Sequence, residues 1–167
     1  MSAKAIRSIY KGLHTCKKNP NYMFDINPTD NAFKHNIVII GPSDTPFEQG
    51  IFYGKILYPK NFPFSPPQVY IFDSIDRKRG LYHPNIYPNG LCCISILHEG
   101  KDNTGYESNN IRWSPAQTIE SIILSIISIL DNPNIDSPAN LDAAKLYNNE
   151  RKLYDRTIRK IVYESQL

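Results

Sequence analysis

Two adjacent cysteines, Cys92 and Cys93, close a run of turn-forming residues, His83-Pro84-Asn85-Ile86-Tyr87-Pro88-Asn89-Gly90-Leu91. A thiol suits the role of acyl carrier. Its thioester stays reactive toward amines and other thiols while resisting water, and only the thiolate attacks. Taken alone, a free cysteine is more often a small buried hydrophobe. The third cysteine, Cys16, makes the count odd, and a bond between neighbours would strain the intervening peptide, so free thiols in a reducing compartment are expected. A thiol redox protein would need a Cys-x-x-Cys pair, which the sequence lacks. Cys92, Cys93 and His98 lack the separated-pair spacing of a metal site and have no evident fourth ligand, so no metal is expected.

The elements around this run are legible from periodicity. Ile6, Ile9, Tyr10 and Leu13 recur at helical spacing over residues 3 to 16, with Lys4, Arg7 and Lys11 on the remaining surface and no acid to balance them. Tyr22, Phe24 and Ile26 alternate, as do Phe33, His35, Ile37 and Ile39, and β-rich runs follow at Ile51–Tyr58 and Gln68–Phe72. Gly41-Pro42-Ser43-Asp44 and Gly50 supply turn chemistry, and Pro63, Pro66 and Pro67 exclude regular structure before the fourth run. Four strands in succession predict an antiparallel meander.

After residue 72 the alternation stops until Trp113, a connection long enough to be functional. Ser114-Pro115-Ala116-Gln117 then predicts a helix start, with Ser114 as N-cap and Gln117 completing a capping box. Ile119, Ile122, Ile123, Ile126, Ile127 and Leu130 line one apolar face of that helix, closed by Asp131-Asn132-Pro133. Two further helices are expected, one starting near Ser137-Pro138 and one carrying Leu153, Ile158, Ile161 and Val162.

Bulk properties set the outer limits. At 167 residues, one domain spanning 1–167 is the default, and 41% hydrophobic with 21% charged residues is ordinary for a globular chain. A net charge of +3 without a long Lys/Arg run argues against a dedicated nucleic-acid binder. The longest apolar stretch, Ile119–Leu130, is interrupted by Glu120 and three serines and is too short to cross a bilayer, so no membrane anchor of its own is expected. The N-terminus has no uninterrupted apolar region, so a cytosolic or nuclear protein is expected.

Beyond composition, the motifs are specific. His83-Pro84-Asn85, with Cys93 ten residues after the His and then Ile94-Ser95-Ile96-Leu97, resembles the active-site signature of ubiquitin-conjugating enzymes. Gly41-Pro42-x-Asp44-x-Pro46-Phe47-x-x-Gly50-x-Phe52, Pro63-Phe64-Ser65-Pro66-Pro67, Trp113-Ser114-Pro115 and Asp131-x-Pro133-Asn134 match further landmarks of that family in order. The resemblance implies an α+β ubiquitin-conjugating fold: N-terminal helix, four-stranded antiparallel meander, long active-site loop, central helix and two C-terminal helices. It implies that Cys93, not Cys92, receives ubiquitin as a thioester from the activating enzyme and passes it to lysine amines with a RING-type ligase. No cofactor is expected, since ATP is used by the activating enzyme.

The resemblance also assigns roles. Attack on the thioester builds negative charge on its carbonyl oxygen, and the implied amide donor is Asn85. The alternative, an Asn85 side chain that bonds the backbone and orders the loop, stands beside it. His83 is read as loop-ordering, no Cys–His pair is expected, and His98 is a minor candidate. An attacking lysine, with its reference pKa of about 10.4, needs help to lose a proton. Where many members carry an acidic gate residue this chain has Ser137, preceded by Asp136, which either substitutes for it or sits in a solvated turn.

Between Cys93 and Trp113 the chain exceeds minimal members by about a dozen residues, including Glu99, Asp102 and Glu107. This resembles the acidic-loop subclass, associated with lysine-48-linked chains and, for the branch carrying Gly105-Tyr106-Glu107-Ser108, with degradation at the endoplasmic reticulum. Phe64, Pro115 and Ala116 match ligase-contacting positions, and Lys4, Arg7 and Lys11 lie on the helix used by the activating enzyme. Solvated or core-packing roles are the alternatives for these side chains. The segment Asp73 to Tyr82 is longer than in that branch and is expected to form a surface loop. Two other functions remain to be weighed: carriage of a ubiquitin-like modifier, and a catalytically silent binding module, against which Cys93 in its full motif argues.

Overall fold

The computed structural model describes residues 2–105 and 111–167. Helix α1 (Ser2–Lys18) leads into strands β1 (Phe24–Pro28), β2 (Lys34–Ile40), β3 (Ile51–Leu57) and β4 (Gln68–Phe72), which form one antiparallel sheet in sequential order. Helices α2 (Ile119–Asp131), α3 (Leu141–Asn149) and α4 (Arg151–Ser165) follow.

Strict alternation in β2 and β3 turns His35, Ile37, Ile39, Phe52 and Ile56 toward the core, where β4 adds Val69 and Ile71. Against them α2 buries Ile119, Ile122, Ile123, Ile126, Ile127 and Leu130. Each such side chain contributes roughly 1.5–3 kcal/mol of transfer free energy, which seats this helix firmly on the core. In α1 the buried stripe is Ala5, Ile9 and Leu13, while Ile6 is half-buried and Tyr10 is exposed, a small rotation of the expected face.

Three expected element details are corrected. Helix α2 begins after Thr118, not Ser114. The Thr118 hydroxyl accepts from the Ser121 amide at 3.0 Å and the Ser121 hydroxyl accepts from the Thr118 amide at 2.9 Å. Ser114 instead closes a turn with the amides of Ala116 and Gln117, which keeps Trp113 on the preceding loop. Helix α3 starts after Asn140, not near Ser137-Pro138, because the amides of Ala139 and Asn140 both donate to the Pro84 carbonyl, at 2.8 and 3.0 Å. In α4 the buried stripe is Tyr154, Ile158 and Val162, with Leu153 facing solvent.

The surface loop expected over Asp73 to Tyr82 is one over 74–79 alone, because Asp73 and Leu81 are buried. A Phe72–Gly80 bridge closes its base, and Arg77 reaches across to the Asn36 side chain at 2.8 Å on β2. Its exit is tightly packed: a Cβ on Gly80 would lie 2.4 Å from the Gly90 amide nitrogen, and Gly90 itself has φ +95°. Among the described residues no helix is long and apolar enough to cross a membrane.

Candidate active site

The stretch from 81 to 98 looks irregular in sequence but is stitched to its surroundings. Leu81 and Cys92 donate backbone hydrogen bonds to Ile71 and Val69 of β4, and short bridges join Tyr70 to Leu91 and Ile86 to Cys92. His83 is fully buried; its Nε2 donates to the Ile129 carbonyl of α2 at 2.8 Å, and its Nδ1 accepts the Asn85 amide at 2.9 Å. Burial pushes its pKa down to about 4, so the ring is neutral at physiological pH with both nitrogens engaged. That geometry orders the loop and leaves the ring no free nitrogen for base chemistry.

Asn85 is equally enclosed. Its Nδ2 donates to the Asn134 carbonyl at 2.7 Å and its Oδ1 accepts the Asn134 amide at 2.8 Å, so one side chain grips both edges of the peptide after α2. Its own carbonyl accepts the Cys93 amide at 2.9 Å. Of the two readings left open by sequence, the observed contacts are those of a loop stabiliser.

The two cysteines part company here. Cys92 is buried, and burial followed by the nearby Cys93 charge pushes its thiol far above the ordinary range. Cys93 is half-buried, with its Sγ 3.5 Å from His98 Nε2. The expected lack of a Cys–His pair is therefore corrected. A single 3₁₀ turn, Ser95–Leu97, brings the chain back, with the His98 amide bonded to the Ser95 carbonyl. The Tyr87 hydroxyl also stands beside this sulfur: the Cys93 charge first, then burial and a hydrogen bond to Cys93, raise its pKa. Tyr87 carried no signal in the sequence beyond its place in the motif.

A cavity of about 200 Å³ opens next to this pair, lined by His98, Asp102, Thr104, Arg112, Asn134, Asp136 and Ser137. It brings together Asp102 with both gate candidates, Asp136 and Ser137. Asp102 also accepts hydrogen bonds from the Thr104 amide and hydroxyl, and the Asp136 amide donates to the Asn134 side chain at 3.1 Å, so Asp136 does sit in an exposed turn. Glu99 points elsewhere, accepting from the Ser65 hydroxyl at 2.8 Å. Glu107 lies outside the described residues. No group of three or more His, Cys, Asp or Glu that could hold a metal occurs among the described residues.

The remaining candidates cluster at one end of the molecule. Phe64 is 57% exposed, Pro115 and Ala116 are exposed, and the Trp113 indole joins their loops by donating to the Pro63 carbonyl at 3.0 Å. Lys4, Arg7 and Lys11 are exposed on α1, and the Lys4 ammonium lies 5.0 Å from the Phe64 ring centroid. The α1 and loop surfaces are thus contiguous.

Comparison with known proteins gives this geometry its context. The profile of the ubiquitin-conjugating enzyme family matches residues 8–162. The chain belongs to the ubiquitin-conjugating enzyme family. It is 42% identical over 169 residues to ubiquitin-conjugating enzyme E2 13 of Arabidopsis thaliana, covering 99% of this chain and 98% of that protein. It is 37% identical over 167 residues to ubiquitin-conjugating enzyme E2 15 of Schizosaccharomyces pombe, covering 98% and 96%. With human ubiquitin-conjugating enzyme E2 G2 it shares 42% identity over 137 residues, 81% of this chain and 79% of that protein. The chain is a ubiquitin-conjugating enzyme, an acyl transferase working through a cysteine thioester, and its partners as a family member are ubiquitin, an activating enzyme and a ligase.

Proposed function

We propose that Cys93 carries the ubiquitin thioester and that the adjoining acid-lined cavity admits the attacking lysine. The observation that carries this reading is the placement of a half-exposed thiol, touching His98, at the edge of a cavity bearing the Asp102 and Asp136 carboxylates. A lysine ammonium entering there is concentrated by the negative potential, and partial desolvation, with Asp102 or Asp136 accepting the proton, offsets the hold that this potential keeps on the charged form. Tyr87, whose hydroxyl interacts with the same sulfur, restricts the lysine's approach. Asn85 acts by fixing the loop that carries Cys93, and its second amide hydrogen is the donor offered to the developing oxyanion.

Phe64, Pro115 and Ala116 form the docking face for a RING-type ligase, and Lys4, Arg7 and Lys11 receive the activating enzyme. The enzyme is read as a member of the acidic-loop subclass, building lysine-48-linked chains for proteasomal degradation; likeness to the E2 G2 relatives and the residues Glu99, Asp102 and Glu107 between Cys93 and Trp113 support this reading. The reading puts the enzyme in the cytoplasm, recruited to the endoplasmic reticulum membrane by a partner, or in the nucleus, with ATP bound by the activating enzyme alone.

The test is discharge of pre-charged enzyme onto free lysine and onto ubiquitin, with and without a RING domain. Asp136→Asn combined with Asp102→Asn is expected to slow discharge to lysine about tenfold while sparing charging, in line with the loss of positioned proton acceptors. Phe64→Ala is expected to abolish ligase stimulation, and ubiquitin lacking lysine 48 to stop chain growth. Full-rate discharge by the double variant contradicts the cavity assignment.

A further inference from the structure

Among the described residues, the segments flanking His98 and Trp113, which form a neck, are fastened to the Pro-rich loop by the Trp113 indole and by the Glu99 side chain. Trp113 donates its amide to the His98 carbonyl at 2.9 Å and its indole N–H to the Pro63 carbonyl at 3.0 Å. Arg112 spans the neck, donating to the Glu99 carbonyl at 2.8 Å and the Gly100 carbonyl at 2.9 Å. The second fastening is a short chain of side chains: Asn61 Nδ2 donates to Ser65 Oγ at 2.8 Å, and Ser65 donates to Glu99 Oε1 at 2.8 Å. Ser65 adjoins Phe64; Glu99 adjoins His98, whose Nε2 rests on the Cys93 sulfur.

We propose that Ser65 and Glu99 form a latch that positions His98 against Cys93 and ties the loop carrying Phe64 to the nucleophile. Neither latch residue touches the reacting atoms; both are positioning residues acting through His98. The imidazole beside Cys93 accepts the thiol proton, leaving the thiolate that attacks, and this requires the ring to be held at hydrogen-bonding distance. Arg112 and Trp113 hold the neck through backbone acceptors, whereas the latch is a side-chain contact between two loops. It is the fastening a partner seated on Phe64 would press upon. The coupling to a ligase rests on the docking face proposed above; the positioning of His98 does not.

The test separates the two. Alkylation of the uncharged full chain by iodoacetamide at pH 7, followed at the Cys93 peptide by mass spectrometry, reports on the nucleophile without any partner. Ser65→Ala and Glu99→Ala are each expected to slow it about threefold, of the size a single hydrogen bond can transmit. Glu99→Gln, which keeps an acceptor for Ser65, restores the wild-type rate. In a His98→Ala background Glu99→Ala adds nothing further, the non-additivity expected of residues acting through one another. Rates unchanged in Ser65→Ala and Glu99→Ala overturn the latch, and so does a Glu99→Gln rate as slow as Glu99→Ala, which would make the carboxylate's charge the active feature. In ligase-stimulated discharge, Glu99→Ala is expected to lose about fivefold of the stimulation. If Phe64→Ala retains full stimulation while alkylation behaves as described, the docking face is wrong and the latch stands.

Discussion

Asn85 and His83 hold the catalytic loop by grips that a shorter side chain cannot reproduce. Replacing Asn85 by Ala strands the amide and carbonyl of Asn134, which face one another's former partner, and is expected to cost about 2 kcal/mol in denaturant unfolding. Asn85→Asp does not rescue, because one carboxylate oxygen must then face the Asn134 carbonyl. His83 makes a pH prediction. Its pKa in the folded protein, about 4, lies below the ordinary value near 6.5, so the unfolded chain binds the extra proton between those values. The associated stability, on the order of 3 kcal/mol, is fully present above pH 6.5 and lost as pH falls toward 4. The buried His35, lowered by the same desolvation, adds in the same direction. The urea midpoint is expected to drop between pH 7 and pH 4.5 and to drop less in His83→Gln; a midpoint flat over that range contradicts the assignment. At this scale the sequence motif singled out Cys93, yet it was silent on the His98 contact. Spacing of five residues implies no proximity until a 3₁₀ turn folds it back.

Elements were legible where one face is buried and ambiguous where capping signals compete. The four strands and α2 follow from period-2 and helical patterns that the core enforces. The start of α2 did not follow, because Ser114-x-x-Gln117 and Thr118-x-x-Ser121 are both plausible capping boxes and only the tertiary bond from Trp113 to Pro63 decides between them. Thr118→Ala is accordingly expected to destabilise by about 1 kcal/mol and Ser114→Ala by less than half of that, measured by chemical denaturation. Equal losses would mean that the first box also caps the helix. The onset of α3 was misplaced for a related reason: the amides of Ala139 and Asn140 are already spent on Pro84, an acceptor 55 or more residues earlier in the chain.

At the scale of the molecule, the 83–93 loop is bound to the α2–α3 side by His83 to Ile129, Asn85 to Asn134, and Pro84 to Ala139 and Asn140. They set the position of Cys93 against the turn carrying Asp136 and Ser137. The opposite flank is set by the fastening of the 98–113 neck to the Pro-rich loop. Both anchored segments reach Cys93, one through the Asn85 carbonyl and the other through His98. The proposed carrier of the ubiquitin thioester is Cys93 and not its neighbour. Incubating wild type, Cys92→Ser and Cys93→Ser with ubiquitin, activating enzyme and ATP, and comparing non-reducing with reducing gels, separates the two thiols. A reductant-labile ubiquitin adduct is expected in wild type and Cys92→Ser, and in Cys93→Ser a reductant-stable ester or none. A labile adduct that survives in Cys93→Ser would contradict the assignment to Cys93.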